Sequence, residues 1–259
     1  MTVLVDSHCH LDAAEFDPDR AQVIERARAA GVRAQVVPAV TAASWPKLRD
    51  VCLQAPGLYP AYGLHPVFLA EHAQGHVDEL RQWIERERPC AIGECGLDFF
   101  IEDLDRDLQQ YYFVAQLELA REFDLPVIVH ARRAVDAVIA AVRRVGGLRG
   151  VVHSFSGSPE QAAQLHKAGF LLGLGGPVTY DRAQRLHRLV QSMPLEQLLL
   201  ETDAPDQPDQ GIRGQRNEPA RLRDIATHIA GRRGISLQAL AEATTVNAQR
   251  LFGLPAAAA

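Results

Sequence analysis

Short apolar runs rich in β-branched residues alternate with helical patterns along the whole chain, at a spacing of about 30 residues. Because no linker separates the units, the pattern predicts parallel strands joined by crossover helices. The predicted strands are Val3–Val5, Ala34–Val37, Tyr59–Gly63, Ala91–Gly93, Val127–Val129, Gly150–Val152, Phe170–Leu174 and Leu198–Leu200. Eight such units predict an α/β protein folded as one closed (β/α)8 TIM barrel.

Helices are predicted between the strands from apolar periodicity and from residues that begin or end helices, such as Gly31 at the end of the first. They cover Arg20–Ala30, Ser44–Gln54, Val77–Glu87, Leu104–Phe123, Ala134–Val145, a segment that begins at Ser158, Arg182–Gln191 and Pro219–Arg232, with one or two short helices up to Phe252. A doubly wound open sheet is the alternative. It usually needs a glycine-rich turn after the first strand, where this chain has His8-Cys9-His10.

Length, charge and cysteine content limit the class of protein further. A chain of 259 residues buries a large core without disulfides, and we expect one domain over residues 1–259 with a disordered tail at 256–259. No apolar run approaches the ~18–20 residues of a membrane span, and the N-terminus does not resemble a signal peptide. The four cysteines form no CxxC pair, which indicates reduced thiols in a cytoplasmic protein. The net charge of −5 argues against a protein that coats nucleic acid, but not against an enzyme that contacts a few phosphates. Nothing in the sequence indicates an obligate protein partner.

Histidines and carboxylates collect at the carboxyl ends of the predicted strands, which is where (β/α)8 barrels build their active sites. These residues are His8, His10, His65, Glu94, His130, His153 and Asp203. His8 and His10 are two residues apart on an extended chain, so their rings point to the same side. Imidazole combined with carboxylate suits Zn²⁺, Mn²⁺, Co²⁺ or Fe²⁺, whereas Mg²⁺ usually prefers oxygen ligands.

Six of these residues form a candidate ligand set: His8, His10, Glu94, His130, His153 and Asp203. The set is too large for one tetrahedral ion, so we predict two divalent ions that share a bridging carboxylate. Glu94 is the best bridging candidate, because Gly93 and Gly96 let the backbone turn and approach a ligand. A carboxylated lysine is not available as a bridge, since neither of the two lysines ends a strand. Asp203 is expected to bind one ion and to accept a proton from the attacking water.

Other polar residues near these positions have less defined roles. Asp98 either orients a ligand histidine or caps its own loop, and Glu201 is assigned no role. Cys9 alternates away from its histidine neighbours and is predicted to be a small buried residue, and Cys95 is also predicted to be structural. Surface positions are expected for the remaining histidines: His72, His76, His166, His187 and His228.

Eight short motifs occur in order along residues 3–253. They are Asp6-Ser-His8-Cys-His10-Leu11, Gly63-Leu-His65-Pro66, Gly93-Glu94-Cys-Gly96-Leu-Asp98, Leu125-Pro-Val-Ile-Val-His130, His153-Ser-Phe-Ser-Gly157, Glu201-Thr-Asp203-Ala-Pro205, Arg216-Asn217-Glu218-Pro219 and Asn247 with Arg250-Leu-Phe252. In these motifs the chain resembles the TatD family of metal-dependent hydrolases and deoxyribonucleases.

This resemblance implies a TIM barrel of the metallo-dependent hydrolase type with a two-metal centre. It implies that one ion is held by His8, His10, Glu94 and Asp203, and the other by Glu94, His130 and His153. His65 matches a pocket histidine that contacts substrate rather than metal. Some members of the family are 3′→5′ exonucleases on single-stranded DNA or RNA, usually assayed with Mg²⁺, so single-stranded nucleic acid is the expected substrate.

Two departures from the better-known nucleases of the family bear on the substrate. Ala131 replaces a serine, and Asp206-Gln207-Pro208 lacks an aromatic that would support base stacking, worth ~1–3 kcal/mol per base. The stretch after Asp203 is similar to the YjjV-like subfamily. A small-molecule hydrolase acting on an ester, amide, lactone or phosphoester is therefore the alternative. A non-catalytic metal-stabilised scaffold is disfavoured, because both Glu94 and Asp203 are present.

Arginines are the candidates for neutralising charge on a phosphoryl group at the metal centre. Arg132 is the best of three, because it lies two residues after His130. Arg213 and Arg216 are the others, and we expect all three to bind substrate.

Overall fold

Eight parallel strands form one sheet in which each strand pairs with the next along the chain. The computed structural model describes residues 2–256, so the predicted tail lies outside the described residues except for Ala256. The strands are β1 (Leu4–Asp6), β2 (Val32–Pro38), β3 (Leu58–Tyr62), β4 (Ala91–Asp98), β5 (Val127–Arg132), β6 (Gly150–Val152), β7 (Phe170–Leu174) and β8 (Leu198–Leu200).

Hydrogen bonds join the first strand to the last. The Ser7 N–H donates to the Leu200 carbonyl at 2.9 Å, and the Asp203 N–H donates to the His8 carbonyl at 2.9 Å. These bonds and the sequential strand order confirm the predicted (β/α)8 barrel. The doubly wound alternative is wrong, because that fold requires a reversal of strand order.

Helices follow the strands on the outside of the barrel. They are α1 (Arg20–Ala29), α2 (Trp45–Cys52), α3 (His76–Glu87), α4 (Arg106–Glu122), α5 (Val135–Val145), α6 (Pro159–Lys167), α7 (Gln184–Ser192), α8 (Leu222–Arg233) and α9 (Leu237–Phe252). The prediction of one or two short helices at the end is corrected to a single helix of 16 residues. No helix in the part of the chain that the structure describes is long and apolar enough to cross a membrane.

Two apolar layers hold the barrel together. Inside, small and branched side chains from the strands pack together, including Val36, Ala61 and Ile128. Leu251 and Phe252 of α9 join this inner cluster, so the last helix packs against the interior of the barrel. A larger layer fills the space between strands and helices. Burial of this apolar surface is what stabilises both layers.

β4 and β5 are longer than predicted, and this changes where two site residues lie. Their paired register continues through Gly96 with His130 and Asp98 with Arg132. The sequence of residues 94–98, Glu-Cys-Gly-Leu-Asp, has no β-branched residue, so propensity alone does not indicate a strand there. Glu94 and His130 consequently lie inside strands. Glu94 falls at an irregularity of the β4–β5 register between Ile92 and Cys95, where its N–H donates to the Ala39 carbonyl at 2.9 Å.

Candidate metal centre

The carboxyl ends of the strands surround a cavity of about 750 Å³. Most of the predicted site residues line it: His10, His65, Glu94, His130, Arg132, His153 and Asp203. His8 is fully buried, and its Nε2 lies 3.1 Å from Glu94 Oε2. The structure therefore brings all seven predicted histidines and carboxylates to one end of the barrel.

Glu94 is the point on which the histidines converge. Its side chain is 1% exposed, and both carboxylate oxygens are surrounded by ring nitrogens. Oε1 lies 2.8 Å from His153 Nε2, 2.9 Å from His65 Nε2 and 3.1 Å from His130 Nδ1, and Oε2 lies 3.1 Å from His8 Nε2 and 3.5 Å from His10 Nε2. A carboxylate with both oxygens placed in this way has the geometry that a bridge between two cations requires.

The backbone around Glu94 packs too closely for side chains. Gly96 has a φ of +142°, and a Cβ built there would lie 2.1 Å from the His130 carbonyl oxygen. A glycine at this position lets β4 approach β5 and brings Glu94 close to His130. Asp203 has a φ of +57°, a left-handed conformation that non-glycine residues adopt at some cost.

Hydrogen bonds on the far side of two rings fix which nitrogen is free to bind a metal. His10 Nδ1 donates to the Pro38 carbonyl at 3.2 Å, which leaves Nε2 toward Glu94 and Asp203. His130 Nε2 donates to Asp98 Oδ2 at 2.9 Å, which leaves Nδ1 toward Glu94. A carbonyl or carboxylate behind the ring is typical of metal-binding histidines. The donor set in the cavity therefore fits divalent cations.

Asp98 fulfils both roles that the sequence left open. Its Oδ2 orients His130, and its Oδ1 accepts the N–H groups of Phe100 and Ile101 at 2.9 and 3.2 Å. The His130 hydrogen bond outweighs burial and lowers the pKa of this carboxyl group, so Asp98 is ionised when it holds the ring.

His65 has a different hydrogen-bond pattern. Its Nδ1 accepts the Val67 N–H at 3.1 Å, so the neutral ring carries its proton on Nε2. That proton points to Glu94 Oε1, 2.9 Å away. Burial lowers the pKa of His65 to about 4, which keeps the ring neutral at physiological pH. This arrangement favours a hydrogen-bond donor to Glu94 over a metal ligand.

Glu201 is a residue whose position the sequence analysis missed. It is fully buried, its Oε1 accepts the Ser154 N–H, and it lies 3.8 Å from His153 Nδ1. Its other oxygen would lie 1.9 Å from a Cβ at Gly173, so a glycine on β7 makes room for it. Burial raises the pKa of Glu201 to about 8. In the sequence, Gly173 is the one sign of this contact, and the sequence does not show that Glu201 is the residue that packs against it.

The electrostatics of the cluster favour positive charge at its centre. Burial alone lowers the pKa of His10 and His153, but the Glu94 carboxylate outweighs it and raises these pKa values to about 9 and about 10. Burial acts to raise the pKa of Glu94, and the surrounding imidazoles, His65 first, outweigh it and hold that pKa well below its usual range. Burial raises the pKa of Asp203. The site thus has an ionised carboxylate among groups that take up protons, and divalent cations compete for the same positions.

Among residues 2–256, three groups of donor atoms are close enough to hold an ion. They are His8 with Glu94 and His153, His8 with His10 and Asp203, and His65 with Glu94 and His130. The second lies within the first ligand set that the resemblance implied. The other two groups differ from the implied sets. His153 is grouped with His8, whose ring is stacked on it with centroids 3.9 Å apart, and His130 is grouped with His65.

The three candidate substrate arginines separate in the structure. Arg132 lines the cavity, whereas Arg213 and Arg216 are not among its lining residues. Arg216 instead forms an ion pair with Asp19 at 2.7 Å and lies over the ring of Phe16.

The prediction of a surface position for His187 is wrong, because this ring is buried and its Nε2 donates to the Val178 carbonyl.

A parallel (β/α)8 barrel with buried imidazoles around a carboxylate at its C-terminal end defines the class of metal-dependent hydrolases. Comparison with known families identifies the particular one. The family profile described as TatD related DNase matches residues 5–253. The chain belongs to this family and is a metal-dependent hydrolase.

Individual relatives agree with this assignment. The chain is 38% identical over 255 residues to the uncharacterized metal-dependent hydrolase YjjV of Escherichia coli K12, covering 97% of this chain and 98% of YjjV. The crystal structure of YjjV matches with a TM-score of 0.92 at 37% identity and covers 97% of this chain and 98% of that one. The chain is also 35% identical to the protein named 3′-5′ ssDNA/RNA exonuclease TatD of Erwinia billingiae, over 98% of this chain and 100% of that protein.

Proposed function

We propose that this chain is a two-metal phosphodiesterase that removes nucleotides from the 3′ end of single-stranded DNA, with RNA as a second substrate, in the cytoplasm. The observation that carries the proposal is Arg132, an exposed arginine that lines the cavity two residues from His130. A guanidinium beside a metal centre suits a phosphate group, because its fork of N–H donors matches phosphate oxygens. The name of the Erwinia billingiae relative supports nucleic acid as the substrate.

The proposed ligand sets are those implied by the family resemblance. One ion is held by His8, His10, Glu94 and Asp203, and the other by Glu94, His130 and His153. The ions are divalent, with Mn²⁺, Zn²⁺, Co²⁺, Fe²⁺ and Mg²⁺ as candidates. When bound, they supply a water of lowered pKa and positive charge for the phosphoryl oxygens.

Asp203 is the proposed proton acceptor for the attacking water. Its carboxylate faces the ring nitrogens of His8 and His10, at 3.3 and 3.6 Å, and its other oxygen accepts a hydrogen bond from the Gln207 amide. The amide fixes the orientation of the carboxylate. Burial raises the pKa of Asp203, and a more basic carboxylate is a better proton acceptor. Arg132 then stabilises the charge that develops on the phosphoryl oxygens.

The alternative, a hydrolase of small esters, also has support in the cavity. Val178 and Leu186 give one wall an apolar surface, and Asp12 and Glu15 add negative charge that would repel a long polyanion. This composition suits a compact substrate with an apolar group.

The test compares substrates in one preparation of the enzyme loaded with Mn²⁺ or Mg²⁺. Single-stranded oligonucleotides labelled at the 3′ or the 5′ end are assayed beside bis(p-nitrophenyl) phosphate and a p-nitrophenyl carboxylic ester. We expect a ladder from the 5′-labelled strand and release of the terminal nucleotide from the 3′-labelled strand.

Arg132→Gln is compared with Arg144→Gln, which removes the same charge from the last turn of α5, an exposed position away from the cavity. We expect loss of nuclease activity in the first variant alone. Turnover of the carboxylic ester without cleavage of any oligonucleotide would favour the alternative.

A further inference from the structure

Two arginines lie over one aromatic ring, and one of them, Arg132, lines the cavity. The guanidinium carbon of Arg132 is 3.7 Å from the centroid of the Phe100 ring, and that of Arg133 is 4.7 Å from the same centroid. Phe100 is 42% exposed, and both arginines are exposed. Such an arrangement holds the planar guanidinium groups in place by cation–π attraction.

The charges of this cluster are not neutralised locally. Neither Arg132 nor Arg133 forms an ion pair with any residue between 2 and 256, whereas Arg216 and Arg221 each pair with carboxylates. In a chain with a net charge of −5, two unpaired guanidinium groups beside a hydrolytic centre make a local positive site. Arginine planes both bind phosphates and stack on nucleobases.

The cluster is fixed rigidly relative to the metal centre. Asp98 accepts the His130 ring proton on one oxygen and the Phe100 N–H on the other. Arg132 ends β5, the same strand that carries His130. Arg133 has a φ of +54°, a left-handed conformation at the first residue after the strand.

We propose that Phe100, Arg132 and Arg133 form a subsite that binds the nucleotide next to the scissile phosphate in a single-stranded nucleic acid. This inference rests on the proposed nuclease function and specifies how the strand is held. The guanidinium groups bind the adjacent phosphate, and their outer faces stack against its base. The subsite thereby takes the place of the aromatic residue that Asp206-Gln207-Pro208 lacks.

The experiment measures binding and cleavage separately. Cleavage is reported as the ratio of kcat/KM for a single-stranded dodecamer to kcat/KM for bis(p-nitrophenyl) phosphate, which has no second nucleotide. Binding of the dodecamer is measured by fluorescence anisotropy in an Asp203→Asn background over a range of salt concentrations. The variants are Arg133→Gln, Phe100→Ala and Phe100→Tyr, with Arg144→Gln as the charge-matched control.

For Phe100→Ala we expect the cleavage ratio to fall by up to about 5- to 150-fold, the value of one stacked base, because the arginines lose the ring that holds them against it, and Phe100→Tyr to restore it. For Arg133→Gln we expect weaker binding and a log–log salt slope that is flatter by about 0.7, the value for one phosphate contact on a single strand. Arg144→Gln should match the wild type in both measurements.

Different outcomes separate the subsite from the proposed function. If the wild type cleaves the dodecamer and neither Phe100→Ala nor Arg133→Gln lowers the ratio relative to Arg144→Gln, the subsite is overturned and the nuclease function stands. If the wild type cleaves bis(p-nitrophenyl) phosphate but neither binds nor cleaves the dodecamer, the nuclease function fails and the subsite fails with it.

Discussion

A single methyl group at Gly96 should damage both the stability and the metal content of this enzyme. A Cβ at this position would lie 2.1 Å from the carbonyl oxygen of His130 and 2.8 Å from its nitrogen. Both atoms belong to the backbone of β5, so no side-chain rotation relieves the overlap. The φ of +142° is a second obstacle, because residues with a Cβ rarely adopt it.

The expected cost follows from these two terms. Overpacking in a close-packed interior costs ~1–3 kcal/mol, and a non-glycine residue in a sparsely populated backbone region costs a further ~1–3 kcal/mol. Gly96→Ala should therefore lower the free energy of unfolding by about 2–6 kcal/mol. For a chain of this size, each kcal/mol shifts Tm by roughly 2–4 °C, so Tm should fall by about 4–24 °C.

Gly75→Ala is the matched control, because a Cβ at Gly75 meets no atom within 4 Å and the φ there is −64°. Thermal unfolding by circular dichroism and metal content by elemental analysis are measured on both variants after loading with Mn²⁺. Gly96→Ala should melt lower and lose metal because His130 is displaced, while Gly75→Ala should match the wild type within about 1 °C. Equal Tm values for the two variants would refute the steric argument.

Four further predictions concern the metal centre itself. Chelation should abolish turnover and Mn²⁺, Co²⁺ or Mg²⁺ should restore it; full activity in a preparation shown by elemental analysis to be metal-free would exclude the proposed centre. Glu94→Ala should lose at least one metal equivalent and more activity than His65→Ala, because the Glu94 carboxylate contacts the rings of all five histidines of the site. Two retained metals per chain in this variant would remove Glu94 from the ligands. Asp203→Asn should keep the fold and lose activity by about 10²–10⁴-fold, the usual cost of a missing general base, and a variant within a factor of a few of wild type would assign that role elsewhere. The pKa values of about 9 for His10 and about 10 for His153 keep both rings protonated at pH 7, so metal loading should release protons, which calorimetry in buffers of different ionisation enthalpy measures. In the chelated enzyme, the two protonated rings should contribute their full stabilisation below pH ~6.5, and this contribution should decline as the pH rises through 9 to 10.

Much of the architecture could be predicted from the sequence because two periodicities alternate without interruption. The order of strands and helices follows from that alternation, and the carboxyl end of each strand follows from its direction. His8, His130 and Asp203 could thus be placed at one end of the barrel without knowledge of any contact. Strand ends were harder to predict, since residues 94–98 continue β4 through pairing with β5 rather than through their own propensity.

Roles that depend on a single distant partner could not be predicted. Arg132 and Arg216 look alike in the sequence, but Asp19 pairs with Arg216 and no carboxylate pairs with Arg132 among the described residues. Glu201 shows the same limit, because its burial against Gly173 depends on the packing of β7 beside β8. Whether a charged side chain faces solvent or pairs with a partner depends on which residues the fold brings next to it, and a single sequence does not show those neighbours.

The joining of β1 to β8 has a consequence for the synthesis of this protein. His8 and Asp203 meet through adjacent backbone, yet Asp203 is made 195 positions after His8. At ~5–20 residues per second, the ribosome takes roughly 10–40 s to cover that interval, so the amino-terminal histidines emerge long before the aspartate that completes the proposed ligand set. Contacts of such high sequence separation form late in folding. Divalent cations bound by the proposed ligand set would stabilise only the finished barrel, and their binding would make the last step of folding harder to reverse.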